Sequence, residues 1–278
     1  MVPVTSTSDD AVRASVRARY AAAARPSLTE SGAAKGIDPI TSGHYDARDA
    51  VAALGLDLTG TSLGCGNPTA LIDLEPGQLV LDLGSGAGLD VLLSARRVAP
   101  GGHAFGLDMT EEMLELARAH QRRAGIENAT FLRGGIEAIP LLDDSLDVVL
   151  SNCVINLAPD KGAVLREAFR VLRPGGRLAV SDVVLLRDVP AELSGVVSLW
   201  TGCVSGALRD ERYLTELAAA GFADASVEVT RAYTCADVVA LTGSLDDADL
   251  PAGTTRADVV DALAGAFAAA FVRAAKPA

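Results

Sequence analysis

The sequence predicts an α/β fold in which a mostly parallel, doubly wound sheet is covered by helices on both faces. Three observations support this prediction. The chain has 278 residues, of which 49% are hydrophobic and 22% charged, enough for a large core. Strand-like and helix-like segments alternate from Leu79 to Val184, and a glycine-rich loop follows the first strand. Because consecutive parallel strands require right-handed crossovers, such alternation places helices on both sides of one sheet.

Short apolar segments bounded by turn residues are typical of buried strands, whereas segments with a period near 3.6 are typical of helices. The pattern predicts strands over residues 79–83, 104–108, 130–133, 146–150, 177–184 and 226–229. It predicts helices over residues 89–98, 111–124, 163–172, 191–199, 211–220, 236–241 and 258–272.

The chain divides into three predicted regions. Residues 1–60 form a helical N-terminal arm, because the segment 9–24 is rich in alanine and arginine, both strong helix formers. Residues 61–184 form the cofactor-binding core. Residues 185–278, where the alternation loosens, form a cap and a C-terminal region that completes the fold.

Charge and hydropathy exclude several classes of partner. The formal net charge is -12, from 24 lysines and arginines against 36 aspartates and glutamates, so we expect no nucleic acid to bind. No apolar run is long enough to span a membrane, since the best candidate, residues 259–272, contains Asp261. The N-terminus shows no secretory leader, and we expect a cytoplasmic protein with reduced thiols.

The glycine-rich loop D-L-G-S-G-A-G covers residues 82–88 and stands between the first strand and the next helix. Glycines there let a ligand approach the backbone and the helix N-terminus. Asp108 lies about 20 residues farther on, at the end of the second predicted strand, where a carboxylate can accept both hydroxyls of a ribose. The loop therefore predicts a nucleoside-containing cofactor.

The spacing G-x-G-x-G, with an acidic residue two positions ahead, resembles the first motif of class I S-adenosylmethionine (SAM)-dependent methyltransferases, which have a Rossmann-like fold. It differs from the dinucleotide motif G-x-G-x-x-G, and Asp82 would repel a diphosphate, whereas SAM has none. The resemblance implies that Met109 stacks on adenine and that Ile136 and Glu137 border the base. Asn152 could orient the methionine tail or serve only in a turn. The candidate SAM-binding residues are Asp82, Gly84, Ser85, Gly86, Gly88, Asp108, Met109, Gly135, Ile136, Glu137 and Asn152.

Three of the four cysteines stand in loops or at a strand end. Cys153 follows the fourth predicted strand, at the edge where open parallel sheets bind ligands. Cys65 and Cys203 lie in glycine-flanked segments, and no C-x-x-C pair occurs, so structural zinc and thioredoxin-type sites are disfavoured. Three thiolates suit a soft, three-coordinate centre such as trivalent arsenic. The alternative is that each cysteine is a small buried hydrophobe, the interpretation we keep for Cys235.

The cysteine contexts S-L-G-C-G-N-P, S-N-C-V-I-N-L and G-C-V-S-G-A-L resemble those of the arsenite SAM methyltransferase family. The resemblance implies an enzyme that methylates arsenite, then methylarsenite, for arsenic detoxification. It implies that Cys65, Cys153 and Cys203 are both the arsenic(III) ligands and the catalytic residues. It also implies a thiol reductant, glutathione or thioredoxin, as co-substrate. The family usually has a further cysteine in its N-terminal segment, and residues 1–64 contain none.

Two other functions remain open at this stage. The first is a small-molecule C- or O-methyltransferase of natural-product metabolism, which uses the same cofactor loop with a different acceptor. The second is a cysteine-based metalloid or zinc binding module without turnover. The three histidines are scattered, with His120 predicted on a polar helix face, and indicate no metal site. No G-x-S-x-G or H-E-x-x-H motif indicates a hydrolase.

Overall fold

The computed structural model describes residues 9–29, 54–55, 72–190, 193, 206–242, 250–251 and 253–278. The helices of these residues are α1 (Asp9–Thr29), α2 (Leu89–Val98), α3 (Glu111–Ala124), α4 (Lys161–Val171), α5 (Asp210–Ala220), α6 (Cys235–Thr242) and α7 (Arg256–Leu263). The strands are β1 (Leu79–Leu83), β2 (His103–Asp108), β3 (Ala129–Arg133), β4 (Leu146–Asn152), β5 (Leu172–Leu185), β6 (Leu208–Arg209), β7 (Ala223–Ala232) and β8 (Phe267–Ala275).

The described strands form one sheet with the order β3-β2-β1-β4-β5-β8-β7, and β6 pairs with β5. Strands β1 to β5 pair in parallel, whereas β8 runs antiparallel to both β5 and β7. The chain proceeds from β1 outward to β3 and then returns to β4 on the other side of β1. This reversal opens a crevice at the carboxyl ends of β1 and β4, the usual ligand site of such sheets.

Alternate residues of β1 enter different cores because successive side chains of a strand point to opposite faces. Leu81 and Leu83 belong to the core that includes residues of α4 and α5. Val80 belongs to another cluster, together with Val98 of α2. Helices therefore cover both faces of the sheet, and the predicted α/β fold class is confirmed.

The early elements agree closely with the sequence pattern. The predicted bounds of β1, α2 and α3 are those observed, and Thr110 is the residue before α3. The strand β5 is longer than predicted, since it begins at Leu172 instead of Arg177. The helix predicted over 191–199 lies almost wholly outside the described residues.

The prediction of a helix over 258–272 is wrong. Helix α7 ends at Leu263, Gly265 has a φ of 64°, and β8 begins at Phe267. The sequence of β8 is rich in alanine, a strong helix former, and has no polar alternation. It lies between β5 and β7, and a strand covered on both faces carries a continuous apolar run that hides its period. Position in the sheet thus overrides local propensity.

In the part of the chain that the structure describes, we find no helix with both the length and the apolar character needed to cross a membrane.

Candidate active site

The glycine loop, residues 84–88, joins β1 to α2 at the crevice. Gly84, Gly86 and Gly88 have φ values of 63°, 49° and 87°, in the left-handed region that side chains rarely adopt. A Cβ at Gly84 would lie 2.5 Å from Val154 Cγ1, and one at Gly88 would lie 2.8 Å from Phe131 Cζ. A Cβ at Gly86 would meet nothing within 4 Å. The loop thus needs glycine for close packing at two positions and leaves an open approach at the third.

Asp108, the last residue of β2, holds the loop in place. Its Oδ2 accepts a hydrogen bond from the backbone N–H of Gly86 at 2.9 Å, and its Oδ1 accepts one from Thr110 at 2.8 Å. Burial raises the pKa of Asp108, while the hydrogen bonds from Thr110 and Gly86 act in the opposite direction. The carboxylate therefore connects the glycine loop to the start of α3.

Three buried carboxyl groups surround the loop: Asp82 of β1, Asp90 of α2 and Asp108. Burial is the main cause that raises the pKa of Asp82 well above its usual value, and repulsion from Asp90 and Asp108 adds to it. Asp82 Oδ1 and Ser85 Oγ are buried and have no hydrogen-bond partner among the described residues. A cation bound near the loop would offset the repulsion among the three carboxyl groups.

A cavity of about 220 Å³ opens beside the loop. Ten of the eleven predicted SAM-binding residues line it, and the exception is Gly88, which packs against Phe131 and Ala117 instead. The lining predicted residues are Asp82, Gly84, Ser85, Gly86, Asp108, Met109, Gly135, Ile136, Glu137 and Asn152. Residues that are far apart in the sequence thus meet at one cavity.

The N-terminal helix α1 supplies part of the cavity wall, which the sequence did not indicate. Arg13, Val16 and Tyr20 line the cavity from this helix. Arg13 Nε donates a hydrogen bond to Glu137 Oε1 at 3.2 Å, across 124 residues of sequence. The spacing of the three residues places them on one face of α1, but the sequence does not predict that this face contacts the cavity.

A further part of the cavity wall is formed by residues after β4: Val154, Leu157, Ala158 and Pro159. Cys153 lies between the lining residues Asn152 and Val154 and is 1% exposed. Its φ is 57°, and its backbone N–H donates to the carbonyl oxygen of Ser181 at 2.8 Å. The predicted position of Cys153 at the carboxyl end of the fourth strand agrees with the structure.

Cys153 is disulfide-bonded. Cys235 is free and exposed, so the interpretation of this residue as a small buried hydrophobe is wrong. The predicted ligands Cys65 and Cys203 both lie outside the described residues.

His120 was predicted on a polar helix face, and this prediction is wrong. The side chain is 4% exposed, and its Nδ1 lies 2.9 Å from the carbonyl oxygen of Ala87 in the glycine loop. Burial lowers the pKa of His120. The pattern contains a signal for this position, because Met113, Ala117 and His120 follow one helical face.

A family model described as a methyltransferase domain matches residues 74–221, slightly more than half of the chain. The chain therefore belongs to this family of methyltransferase domains. The match includes β1 to β6 and all the residues that line the cavity except Arg13, Val16 and Tyr20 of α1.

Among curated proteins, the chain is similar to arsenite methyltransferases. It is 48% identical to one from Halobacterium salinarum over 179 residues, which are 64% of this chain and 45% of that protein. It is 43% identical to the human arsenite methyltransferase over 148 residues, 50% of this chain and 38% of that protein. The chain thus spans less than half the length of these curated relatives.

Among solved structures, the chain is similar to an arsenic (III) S-adenosylmethionine methyltransferase from Chlamydomonas reinhardtii. The TM-score is 0.62 at 32% identity, and the match covers 84% of this chain and 73% of that structure. The resemblance to the arsenite SAM methyltransferase family is confirmed.

Proposed function

We propose that this protein transfers methyl groups from SAM to trivalent arsenic held by the thiolates of Cys65, Cys153 and Cys203. One observation carries the proposal. Cys153 is buried beside the cavity of the glycine loop, between two lining residues, and is bonded to another cysteine. The similarity to arsenite methyltransferases supports the choice of acceptor.

The described residues fit SAM. Asp82, Ser85 and Gly86 line the cavity, and a Cβ at Gly86 would meet nothing within 4 Å, so the backbone of the glycine loop is open to a ligand there. The ammonium and sulfonium charges of SAM suit the acidic surroundings of Asp82, Asp90 and Asp108. We assign the ribose hydroxyls to Asp108 and the adenine to Met109 and Ile136. When bound, SAM supplies a methyl group attached to a positively charged sulfur.

The cavity has two functional sides in this proposal. The donor side consists of Asp82, the loop 84–88 and Asp108, together with residues 134–137. The acceptor side consists of Cys153 and residues 154–159. Residues 61–184 would contain the donor side, and residues 185–278 would bring Cys203 in a cap above the sheet. The protein then aligns the arsenic atom with the methyl carbon of SAM and excludes water from the cavity.

Arsenite is the substrate, and it binds by exchange of ligands. Each of the three cysteine thiols gives its proton to one hydroxyl group of arsenite, so that three As–S bonds form and three water molecules leave. The arsenic keeps its lone pair, which attacks the methyl carbon in line with the departing sulfur. No general base is needed, because no proton leaves the nucleophile in that step.

A reductant completes the cycle. Methyl transfer converts As(III) to As(V), and two electrons from a dithiol or from two glutathione molecules return it to As(III). The same reductant would open the disulfide of Cys153, since a sulfur in a disulfide cannot bind arsenic as a thiolate. We infer glutathione or thioredoxin as the co-substrate, and a cytoplasmic location where such thiols are kept reduced.

The proposal is tested with purified protein, arsenite, SAM and a dithiol. The expected product is methylarsenite, formed together with S-adenosylhomocysteine (SAH). Cys153→Ser and Cys203→Ser should reduce the rate at least about 100-fold, because each removes one of three sulfur ligands. Cys65→Ser should lower the rate with inorganic arsenite more than with methylarsenite.

Cys235→Ser is the matched control, since Cys235 is free and exposed. It should retain full activity. Activity retained by both Cys153→Ser and Cys203→Ser would reject the thiolate site. Methylation of an organic hydroxyl or carbon acceptor in place of arsenite would favour the alternative small-molecule methyltransferase.

A further inference from the structure

We infer that His120 is a positioning residue for the methyl donor: its Nδ1–H fixes the carbonyl of Ala87 and thereby the shape of the glycine loop. His120 lies on α3, outside the loop and outside the set of residues that line the cavity. The inference rests on the proposed SAM site, and it concerns cofactor binding only.

The hydrogen bond has one possible direction. A carbonyl oxygen accepts and cannot donate, so the 2.9 Å contact between Nδ1 and Ala87 O requires the proton on Nδ1. Because burial lowers the pKa of His120, the ring is neutral at pH 7 and holds this single tautomer. The chain thus uses a buried imidazole as a fixed donor.

Ala87 is the place where such a restraint matters. It stands between Gly86 and Gly88, whose φ values of 49° and 87° belong to residues with easy access to several backbone conformations. The preceding peptides are already held, since Ser85 N–H donates to Leu107 O at 3.0 Å and Gly86 N–H donates to Asp108 Oδ2. His120 adds the restraint on the carbonyl side of Ala87.

The loop is also packed from the same helix. The Ala87 side chain belongs to a buried cluster with Met113 and Leu116 of α3 and Ala24 of α1. A Cβ at Gly88 would lie 3.0 Å from Ala117 Cβ, so α3 approaches the loop too closely for a larger residue. Packing fixes the distance between helix and loop, and the imidazole fixes the orientation of the peptide plane. The Ala87–Gly88 peptide is then held at both of its polar atoms, since Gly88 N–H donates to Ser85 O at 2.9 Å.

The test compares two variants of nearly equal size. His120→Asn keeps an N–H donor at about the position of Nδ1, whereas His120→Leu has the same branching and no donor. Binding of SAH, the demethylated product of SAM, is measured by calorimetry without arsenite. We expect His120→Leu to weaken SAH binding about 5- to 10-fold, the value of one buried neutral hydrogen bond. His120→Asn should stay within about 2-fold of the unmodified protein.

Three results would overturn the inference: unchanged binding in both variants, equal weakening in both, or an Nε2-protonated neutral tautomer of His120. The tautomer is read from the ¹⁵N spectrum of the unmodified protein, with His120→Asn to assign the signal among three histidines. This measurement decides the question even if His120→Leu does not fold. If the unmodified protein fails to bind SAH, the proposed function fails instead, and the two failures are distinct.

Discussion

The donor side and the acceptor side face the same cavity, but contacts with different strands of the sheet hold them in place. On the donor side, the hydrogen bond from Gly86 to Asp108 spans 22 residues, and the loop follows its own strand directly. On the acceptor side, Cys153 is tied to Ser181 of β5, and Asn156 Nδ2 donates to Val183 O at 2.6 Å. The glycine loop is thus fixed to β2, whereas the acceptor side is fixed to backbone carbonyls of β5.

This difference separates the expected effects of mutations. Changes on the donor side should alter SAH binding and leave arsenite binding intact, and changes on the acceptor side should do the reverse. We expect arsenite to change the fluorescence of Trp200, the one tryptophan of the chain, and this change would report arsenite binding. A variant that alters both would contradict the division of the cavity.

The largest effect is expected for Asp108→Ala. The variant removes the proposed ribose acceptor and both backbone hydrogen bonds that the carboxylate accepts, from Gly86 and Thr110. Hydrogen bonds to charged groups contribute about 1.5–3 kcal/mol each, so SAH binding should weaken more than about 100-fold. Calorimetry with SAH measures the loss, and the fluorescence response to arsenite should persist. A loss below about 5-fold would remove Asp108 from the donor side.

Two substitutions in the glycine loop should have different effects: Gly88→Ala should lower the free energy of unfolding, and Gly86→Ala should lower the affinity for SAH. A Cβ at Gly88 would meet Phe131 Cζ at 2.8 Å with a φ of 87°, so we expect a loss of about 2–4 kcal/mol of unfolding free energy. At Gly86 the Cβ has open space, and only the left-handed backbone costs about 1 kcal/mol. The added methyl group there should reduce SAH affinity instead.

Urea denaturation and SAH calorimetry on both variants check this pair. If Gly86→Ala proves the less stable of the two, or if it binds SAH normally, the assignment of the two glycines is reversed.

Asp182 of β5 should make the free energy of unfolding depend on pH. Burial raises its pKa to about 7, despite opposing hydrogen bonds from Val183 and Asn156 and the charge of Lys161. The folded state therefore binds a proton that the unfolded state has released above about pH 4. Stability from this group is complete below that pH and is lost as the pH rises through 7.

Between pH 5 and pH 8 the loss should amount to about 2.6 kcal/mol. Asp182→Asn removes the titration, so its unfolding free energy, measured in urea, should fall less than that of the unmodified protein over this range. Parallel pH curves for the two proteins would contradict the raised pKa.

The smallest effect is expected at Arg13, which closes the donor side from α1. Its ion pair with Glu137 is partly exposed, and such pairs contribute about 0.2–1 kcal/mol. Arg13→Ala should therefore raise the SAH dissociation constant no more than about 5-fold, and high salt should reduce the difference. Arg25→Ala is the control, because Arg25 pairs with Glu112, which does not line the cavity. An equal effect of both variants would mean that α1 acts only through its general packing.

The sequence is sufficient to predict the parts of the site that lie in one short stretch of strand, loop and helix. The glycine loop, Asp108 and the bounds of β1, α2 and α3 follow from spacing, because each strand, loop and helix signals its own start and end. The wall from Arg13 to Tyr20 could not be predicted, since its contact with Glu137 joins residues 124 positions apart. The register of a helix against a distant loop is a property of the assembled core.

The wrong predictions for residues 267–272 and for His120 have the same physical origin. Residues 267–275 form a strand because they fill the place between β5 and β7, although their alanines favour a helix. His120 looks like a surface residue by its polarity, yet it is buried because the carbonyl of Ala87 satisfies its donor. In both places tertiary contacts determine the conformation or the burial of the residues, and a single sequence contains that information only indirectly.

The gathering of three sulfur atoms around arsenic is tested most directly by X-ray absorption at the arsenic edge on reduced protein with one equivalent of arsenite. The account predicts three sulfur neighbours and no oxygen in the unmodified protein and in Cys235→Ser, with one sulfur lost in Cys153→Ser. A first shell that keeps its oxygen atoms, or that is unchanged by Cys153→Ser, would contradict it.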